Sequence, residues 1–376
     1  MRYLRFLFLY TLLYIGGVAH AFRADSVEVS LLTCSPGTEV YSLYGHTAIR
    51  VKSYTTAEDW VFNYGVFSFN RPNFIWRFTR GECDYQIGVL PFAYFAEEYE
   101  ERGSTVYQQV LNLRPENREY RYNFLYDNCT TRARDRIEEA VEGKIIYPEQ
   151  DTVRTYREII HQYTAQHPWA ELGNDICLGA EADRPISVRD EMFAPFYLLR
   201  YANDAVIQES DGSTRPLVLS QSEVVEGRDV EIQKEFPWSP ALSVWILFFC
   251  VAGLTVVERW RHACFWGIDI FLMSLVGGIG LVVTFLFFFS VHPTVGSNWQ
   301  IWVFNPIPLV AMPWVVWCAV KRRKTYYHPL NASVLILFMF FSALIPQDFC
   351  VVVVPLALAL LLRSCSYWIS YRKKEK

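Results

Sequence analysis

Five apolar runs in the second half of the chain constrain it more than any other feature: residues 241–257, 270–291, 301–320, 330–345 and 349–363. The first three approach the ~20 residues that an α-helix needs to cross a bilayer. The last two are short and meet through Pro346-Gln347-Asp348. They read as a tight pair of spans in preference to a shallow re-entrant hairpin.

Charge placement orients these runs. Arg259 and Arg261 follow the first, Lys321, Arg322, Arg323 and Lys324 follow the third, and Arg372, Lys373, Lys374 and Lys376 close the chain. The loops 292–300 and 346–348 hold no Lys or Arg. With about five spans every basic loop falls on one side, which the positive-inside rule makes the cytoplasm. The N-terminal half must then lie outside. The start of the chain agrees: Arg2 and Arg5 precede an apolar run that ends at Ala19-His20-Ala21, a secretory signal-peptide pattern over 1–21.

The expected organisation is therefore a signal peptide (1–21), an exported domain (22–204), a hairpin and linker (205–237) with an Asp211-Gly212 turn, and an all-α membrane domain (238–376). This predicts an inner-membrane, multi-pass protein with a periplasmic domain. The net charge is −4 and no basic stripe lines a helix face, which argues against a nucleic-acid partner.

In the exported domain, period-two or β-rich stretches predict strands over 27–34, 46–53, 59–67, 83–92 and 104–113. Helices are expected over 93–103, from Pro115 through "ENREYRYNFLY", from Cys129 to Gly143, and over 151–163 and 190–204. Strands and helices are grouped rather than alternating, so the class is α+β.

Cys129 sits in "YNFLYDNCTTRARD", at the mouth of a helix. A nucleophilic thiol needs a lowered pKa, which a helix N-terminus and a neighbouring imidazole both supply. Asp127 or Asn128 can cap that helix, and its early N–H groups can also face an oxyanion. The imidazole candidates are His46, His161 and His167. His46 ranks first, because it follows Gly45 at the start of a strand in "YSLYGHTAIRV". On these residues alone, a packing cysteine and a half-buried histidine remain the alternative. Metal and cofactor are not expected, since the exported half has no Cys-x-x-Cys or His-x-x-x-His pair. Cys34, Cys83 and Cys177 are exported with Cys129. Cys34 with Cys177 is the first choice of disulfide, because both lie in turn-rich settings, although the pairing stays open.

His292, Asn298 and Gln300 lie in the outer loop between the second and third runs. They read either as a phospholipid headgroup or lipid-access site, or as helix caps beside the interfacial anchors Trp299 and Trp302.

"YGHTAIRV" followed about eighty residues later by "DNCTT" resembles the circularly permuted papain-like superfamily. More narrowly, "LLTCSPG", "YSLYGHTAIRV", "FNYGVFSF", "YNFLYDNCTTRARD" and the membrane-half "HPTVGSNWQ" resemble the Bacteroidetes lipoprotein N-acyltransferase family, Lnb. Asn298-Trp299-Gln300 departs from an Asn-x-Asn pattern associated with that family. The resemblance implies a permuted papain-like periplasmic domain and a cysteine-dependent acyltransferase. An acyl chain would move from a membrane phospholipid through a Cys129 thioester to the α-amino group of a diacylated lipoprotein, with His46 as base. It also implies a third polar group to orient His46, with Asn63 the first candidate and Tyr64 the alternative. Asn128 and Tyr44 are further candidates for the oxyanion or substrate, as is Tyr64. The competing function is a membrane-tethered papain-like peptidase or amidase using the same thiol.

Overall fold

A computed structural model describes residues 27–39, 42–66, 72–82, 84–111, 119–121, 123–227 and 236–372. The expected signal peptide lies outside the described residues.

The elements run, in chain order, as strands β1 (Val27–Cys34), β2 (His46–Ser53) and β3 (Asp59–Val66), helix α1 (Phe74–Arg80), β4 (Asp84–Pro91), α2 (Phe92–Glu101), β5 (Val106–Leu111) and β6 (Glu119–Arg121). Helix α3 (Cys129–Ala140), β7 (Lys144–Ile146), α4 (Tyr156–Thr164), α5 (Pro168–Cys177), α6 (Val188–Glu191) and α7 (Pro195–Asp204) follow. The domain closes with β8 (Val206–Gln208), β9 (Thr214–Pro216) and β10 (Gln221–Val225).

A seven-stranded antiparallel sheet, ordered β10-β5-β1-β2-β3-β4-β6, is the frame. The period of two in β1 and β2 decides what each face covers. Val29, Leu31 and Ile49 face Ala133 and Ile137 of α3 and Leu198 and Tyr201 of α7. Leu32, Cys34, Ala48 and Val61 face Phe95 and Tyr99 of α2. A separate core under α4 joins Tyr156, Ile159 and Ile160 to Leu125 and Phe193. Strand-and-helix grouping is as expected. The helix expected from Pro115 onward does not form at 119–121, which instead pairs as β6 with the open edge of β4; residues 115–118 and 122 lie outside the described set. β8 and β9 form the expected hairpin.

The second half is a helical domain of α8 (Pro240–Trp260), α9 (Trp266–Phe289), α10 (Ile307–Val320), α11 (Tyr327–Phe341) and α12 (Val353–Arg372). Among the described residues, four helical stretches are long and apolar enough to cross a membrane: Pro240–Trp260, Trp266–Phe289, Trp299–Val320 and Tyr327–Leu344. The last apolar run becomes helical only at Val353, and its apolar part, Val353–Trp368, is shorter than these. A charge inside an apolar bundle must be paired. Arg363 of α12 is held by Asp269 at 2.7 and 2.8 Å, by Thr255 at 3.2 Å and by Glu258.

Two seams fix the sheet domain to the bundle. The first solves the problem of the orphan carbonyls at the end of α5. Gln300 donates its side-chain amide to Asp175 O at 2.6 Å and Asn298 to Ile176 O at 2.8 Å. Gln347 donates to Leu178 O at 3.3 Å and to Asn298 Oδ1 at 3.1 Å. Gly179 is obligatory in this seam, because a Cβ there would lie 2.5 Å from the Ser297 carbonyl carbon. In the second seam, Val291 N–H donates to Arg80 O at 2.9 Å and His292 Nε2 to Phe78 O at 2.7 Å.

Asn298→Ala removes buried bonds worth about 1–3 kcal/mol. Amide hydrogen exchange at 175–183 is expected to speed up about tenfold or more in this variant, with α3 unaffected. Equal protection in the two proteins would contradict the seam.

Candidate functional site

Three elements meet at one end of the sheet. Gly45 holds φ +73°, and a side chain there would strike the Cys34 carbonyl, so only glycine turns the chain into β2 at this point. His46, the first residue of β2, lies opposite Cys34 on β1. It shares a sheet face with Asn63, because Ala48 pairs with Asn63 across β2 and β3. Its Nε2 meets Asn63 Oδ1 at 2.5 Å. A carbonyl oxygen only accepts, so Nε2–H donates and Nδ1 is left for Cys129. Tyr99 of α2 lies parallel to the imidazole, with centroids 6.2 Å apart and planes 8° apart.

Cys129 is the first residue of α3, which packs on the opposite face and brings its N-terminus to the start of β2. Asn128 is the cap: its Oδ1 accepts from the N–H groups of Thr130 and Thr131, both at 2.9 Å. Its side-chain amide donates to Phe124 O at 2.8 Å and Phe193 O at 2.9 Å. Asp127, the other expected cap, pairs with Arg132 instead. Thr130 and Thr47 join their hydroxyls at 3.1 Å, tying α3 to β2 in the buried layer beside the thiol.

The electrostatics oppose burial. Desolvation pushes the Cys129 thiol up, but His46, the Thr47 backbone N–H and the Thr130 hydroxyl all favour the thiolate, and the net direction is down. Desolvation pushes His46 down, but the facing sulfur and Asn63 outweigh it, and the net direction is up. The two shifts share one cause, the mutual attraction of a thiolate and an imidazolium that face each other. Cys34, buried against Tyr99, is pushed well above the usual thiol range by burial. Two neighbouring cysteines are thus shifted in opposite directions.

Two family models match the chain, the Lnb N-terminal periplasmic domain over residues 18–162 and the Lnb transmembrane domain over residues 231–374. Together they take in most of it. The chain belongs to the Lnb family. No curated protein and no solved structure matches it.

Lnb membership makes the sheet domain periplasmic and the helical domain transmembrane, which places the chain in the inner membrane. It also implies a lipoprotein N-acyltransferase-type role. In this Lnb chain the structure brings together Cys129, His46 and Asn63, keeps Asn128 beside them as the helix cap, and turns Tyr64 and Tyr44 to other packing. Asn128 spends its amide on two carbonyls and has no donor to give an oxyanion. Tyr64 is buried in the core beside Ala133 and Ile137 of α3, on the face away from Asn63. Tyr44 packs on Phe124 and Tyr163, and its hydroxyl accepts from Asn174 of α5 at 2.6 Å.

The outer-loop trio is also reassigned. His292, Asn298 and Gln300 donate to carbonyls of the periplasmic domain, and Asn298 and Gln300 are almost fully buried. They join the domains, with Asn298 and Gln300 closed off from solvent and His292 half-buried. Asn298 does cap the turn at Trp299, as its capping reading expected. The expected Cys34–Cys177 disulfide is absent: both are free thiols. Cys34 is enclosed between the sheet and α2, whereas Cys177 ends α5 at the membrane seam.

His161, Glu171 and Asp175 have ligand atoms within 4.8 Å of one another. Asp175 is already neutralised there by Arg157 at 2.7 Å and His161 at 2.9 Å. A cavity of about 930 Å³ is lined by Leu43, Arg102, Tyr163, Tyr197 and Arg200, and none of Cys129, His46 and Asn63 lines it. Tyr99, Thr47 and Thr130 were not singled out from sequence. Their signal was present for the two threonines, which follow His46 and Cys129 directly, but Tyr99 is one of 23 tyrosines and lies on a surface-patterned helix.

The pair has a pH signature. An imidazolium beside the sulfur lowers the thiol pKa, so the alkylation midpoint of Cys129 is expected below the ordinary ~8.5. In His46→Ala the cation is gone and burial remains, so the midpoint should rise above that value. Iodoacetamide rates across pH measure this; an unmoved midpoint would refute the pair.

Proposed function

We propose that this chain N-acylates lipoproteins, using Cys129 to carry the acyl group. What supports the reading is the Cys129–His46–Asn63 constellation at a sheet end that α1 and α5 hold against the outer end of a helical bundle. A thiolate there stands beside both lipidic substrates. The membrane seam favours this over a tethered peptidase or amidase, which would use the same thiol but needs only one anchor.

In the first half-reaction the Cys129 thiolate attacks an acyl-ester carbonyl of a membrane phospholipid. The His46 imidazolium gives its proton to the departing alkoxide, and a lysophospholipid leaves. The oxyanion faces the N–H of Cys129, which the Asn128 cap leaves untouched, at the positive end of α3. In the second half-reaction the α-amino group of the diacylated N-terminal cysteine attacks the thioester. His46, now neutral, takes the amine proton, and the thiolate is released. Asn63 keeps Nε2 protonated and the ring oriented in both halves. The permuted papain-like topology and a fifth crossing by α12 are part of the proposal. Five crossings leave the basic C-terminus in the cytoplasm.

Transfer from phospholipid vesicles to a diacylated lipopeptide, followed by mass spectrometry, tests the roles. Cys129→Ala is expected to abolish transfer. His46→Ala should cost about 10²–10⁴-fold in kcat, the usual range for a general acid–base group. Asn63→Ala should cost about 10–100-fold, the worth of one hydrogen bond to a charged ring. Transfer at the wild-type rate by Cys129→Ala would end the proposal.

A further inference from the structure

α1 is the connection between β3 and β4, and it presents Ile75, Trp76 and Phe78 outward, at 78%, 55% and 47% exposure. A seven-residue helix with three large apolar residues turned to water would be an anomaly on a periplasmic surface. Its surroundings remove the anomaly. Trp76 packs against Phe285 of α9, with ring centroids 5.2 Å apart. Phe285 stands four residues, roughly one turn or 6 Å, below the outer end of α9 at Phe289. The bonds from Val291 and His292 to Arg80 and Phe78 hold the other end of α1 at the loop just beyond Phe289. On α9 and just beyond it, Phe288, Phe289 and Val291 are also exposed, so the apolar surface of α1 continues that of a spanning helix. The basic groups turn back toward protein: Arg77 donates to Glu82 O at 3.1 Å and Arg80 pairs with Glu82 at 2.8 Å.

The placement of α1 relative to the site follows from the register. β3 runs toward α1, and Asn63 is three residues before its end at Val66. β2 runs the other way, so its first residue, His46, stands at the same end. The arm therefore leaves the sheet from the reactive end.

We propose that α1 is immersed in the periplasmic leaflet, with Ile75, Trp76 and Phe78 against phospholipid acyl chains. This face is the surface over which a donor chain reaches Cys129, a second statement that rests on the acyltransferase reading. The occupant is lipid because the patch is continuous with the apolar surface of a spanning helix and straddles its outer end, with Trp76 on the membrane side beside Phe285.

Two experiments separate the statements. Full-length Cys129→Ala is reconstituted in vesicles containing a phospholipid with a diazirine in its acyl chain, irradiated, digested and mapped. Adducts on residues 74–80, as well as on the bundle, are expected whether or not the protein is an enzyme. Adducts confined to 240–372 would overturn the immersion and leave the face to a protein partner. In the second, Trp76→Asp should slow vesicle-to-lipopeptide transfer at least about tenfold, because a carboxylate is costly in the apolar layer, while Trp76→Phe should restore the rate. Transfer by Trp76→Asp at the wild-type rate would overturn the acyl-chain path. Labelling of 74–80 in vesicles where the wild-type protein transfers nothing would instead overturn the acyltransferase reading and leave the immersed arm standing.

Discussion

The carbonyl groups at the end of α5 are the point on which the molecule turns. A helix cannot satisfy its own last carbonyls, and these are buried. Their donors come from the bundle: Gln300, Asn298 and Gln347. The arrangement carries through to the thiol. Arg157 of α4, 2% exposed, reaches Asp175 and Asp183 and the Leu178 carbonyl beside the seam. The α4 core contains Phe193, whose carbonyl binds the Asn128 cap beneath Cys129. Asn174 of α5 holds Tyr44, two residues before His46. Both members of the reactive pair are thus braced, through packed polar and aromatic groups, against the membrane domain.

Within that frame the local chemistry is a contest between burial and ionisation. Burial favours a neutral thiol, and it pushes the enclosed Cys34 up. Cys129 differs because it begins a helix and faces an imidazole whose other nitrogen is held by Asn63. A neutral partner in place of His46 would leave the helix terminus alone against desolvation. The nucleophile therefore depends on a contact between the start of α3, which packs on one face of the sheet, and a side chain at the start of β2 that belongs to the other face.

Much of this was legible in the sequence. The strands read directly because β-branched and apolar residues alternate, and "DNCTT" announced a helix start. Asn63 was within reach because it lies one strand from His46 with the right parity. Other features were not legible. Tyr64 and Tyr44 look like site residues when only distance along the chain is known; tertiary packing turns one into core and the other into a bridge, whereas the cap role of Asn128 was readable from its place before the helix. His292, Asn298 and Gln300 looked like a polar surface loop, because nothing local reveals that another domain's carbonyls lie above them. β6 reads as helix by propensity and becomes strand because β4 offers an edge. The exposed face of α1 meets a partner more than two hundred residues away, Phe285 beside Trp76, which no local pattern reveals.

The most direct test of the central claim is the intact mass of the full-length protein incubated with phospholipid and then with a diacylated lipopeptide. The account predicts one acyl mass on Cys129, removable by hydroxylamine as a thioester, that disappears as the lipopeptide gains the same acyl mass on its amine. A folded protein that transfers the acyl group while Cys129 never carries it, or that acquires no acyl group and leaves the lipopeptide unchanged, would contradict it.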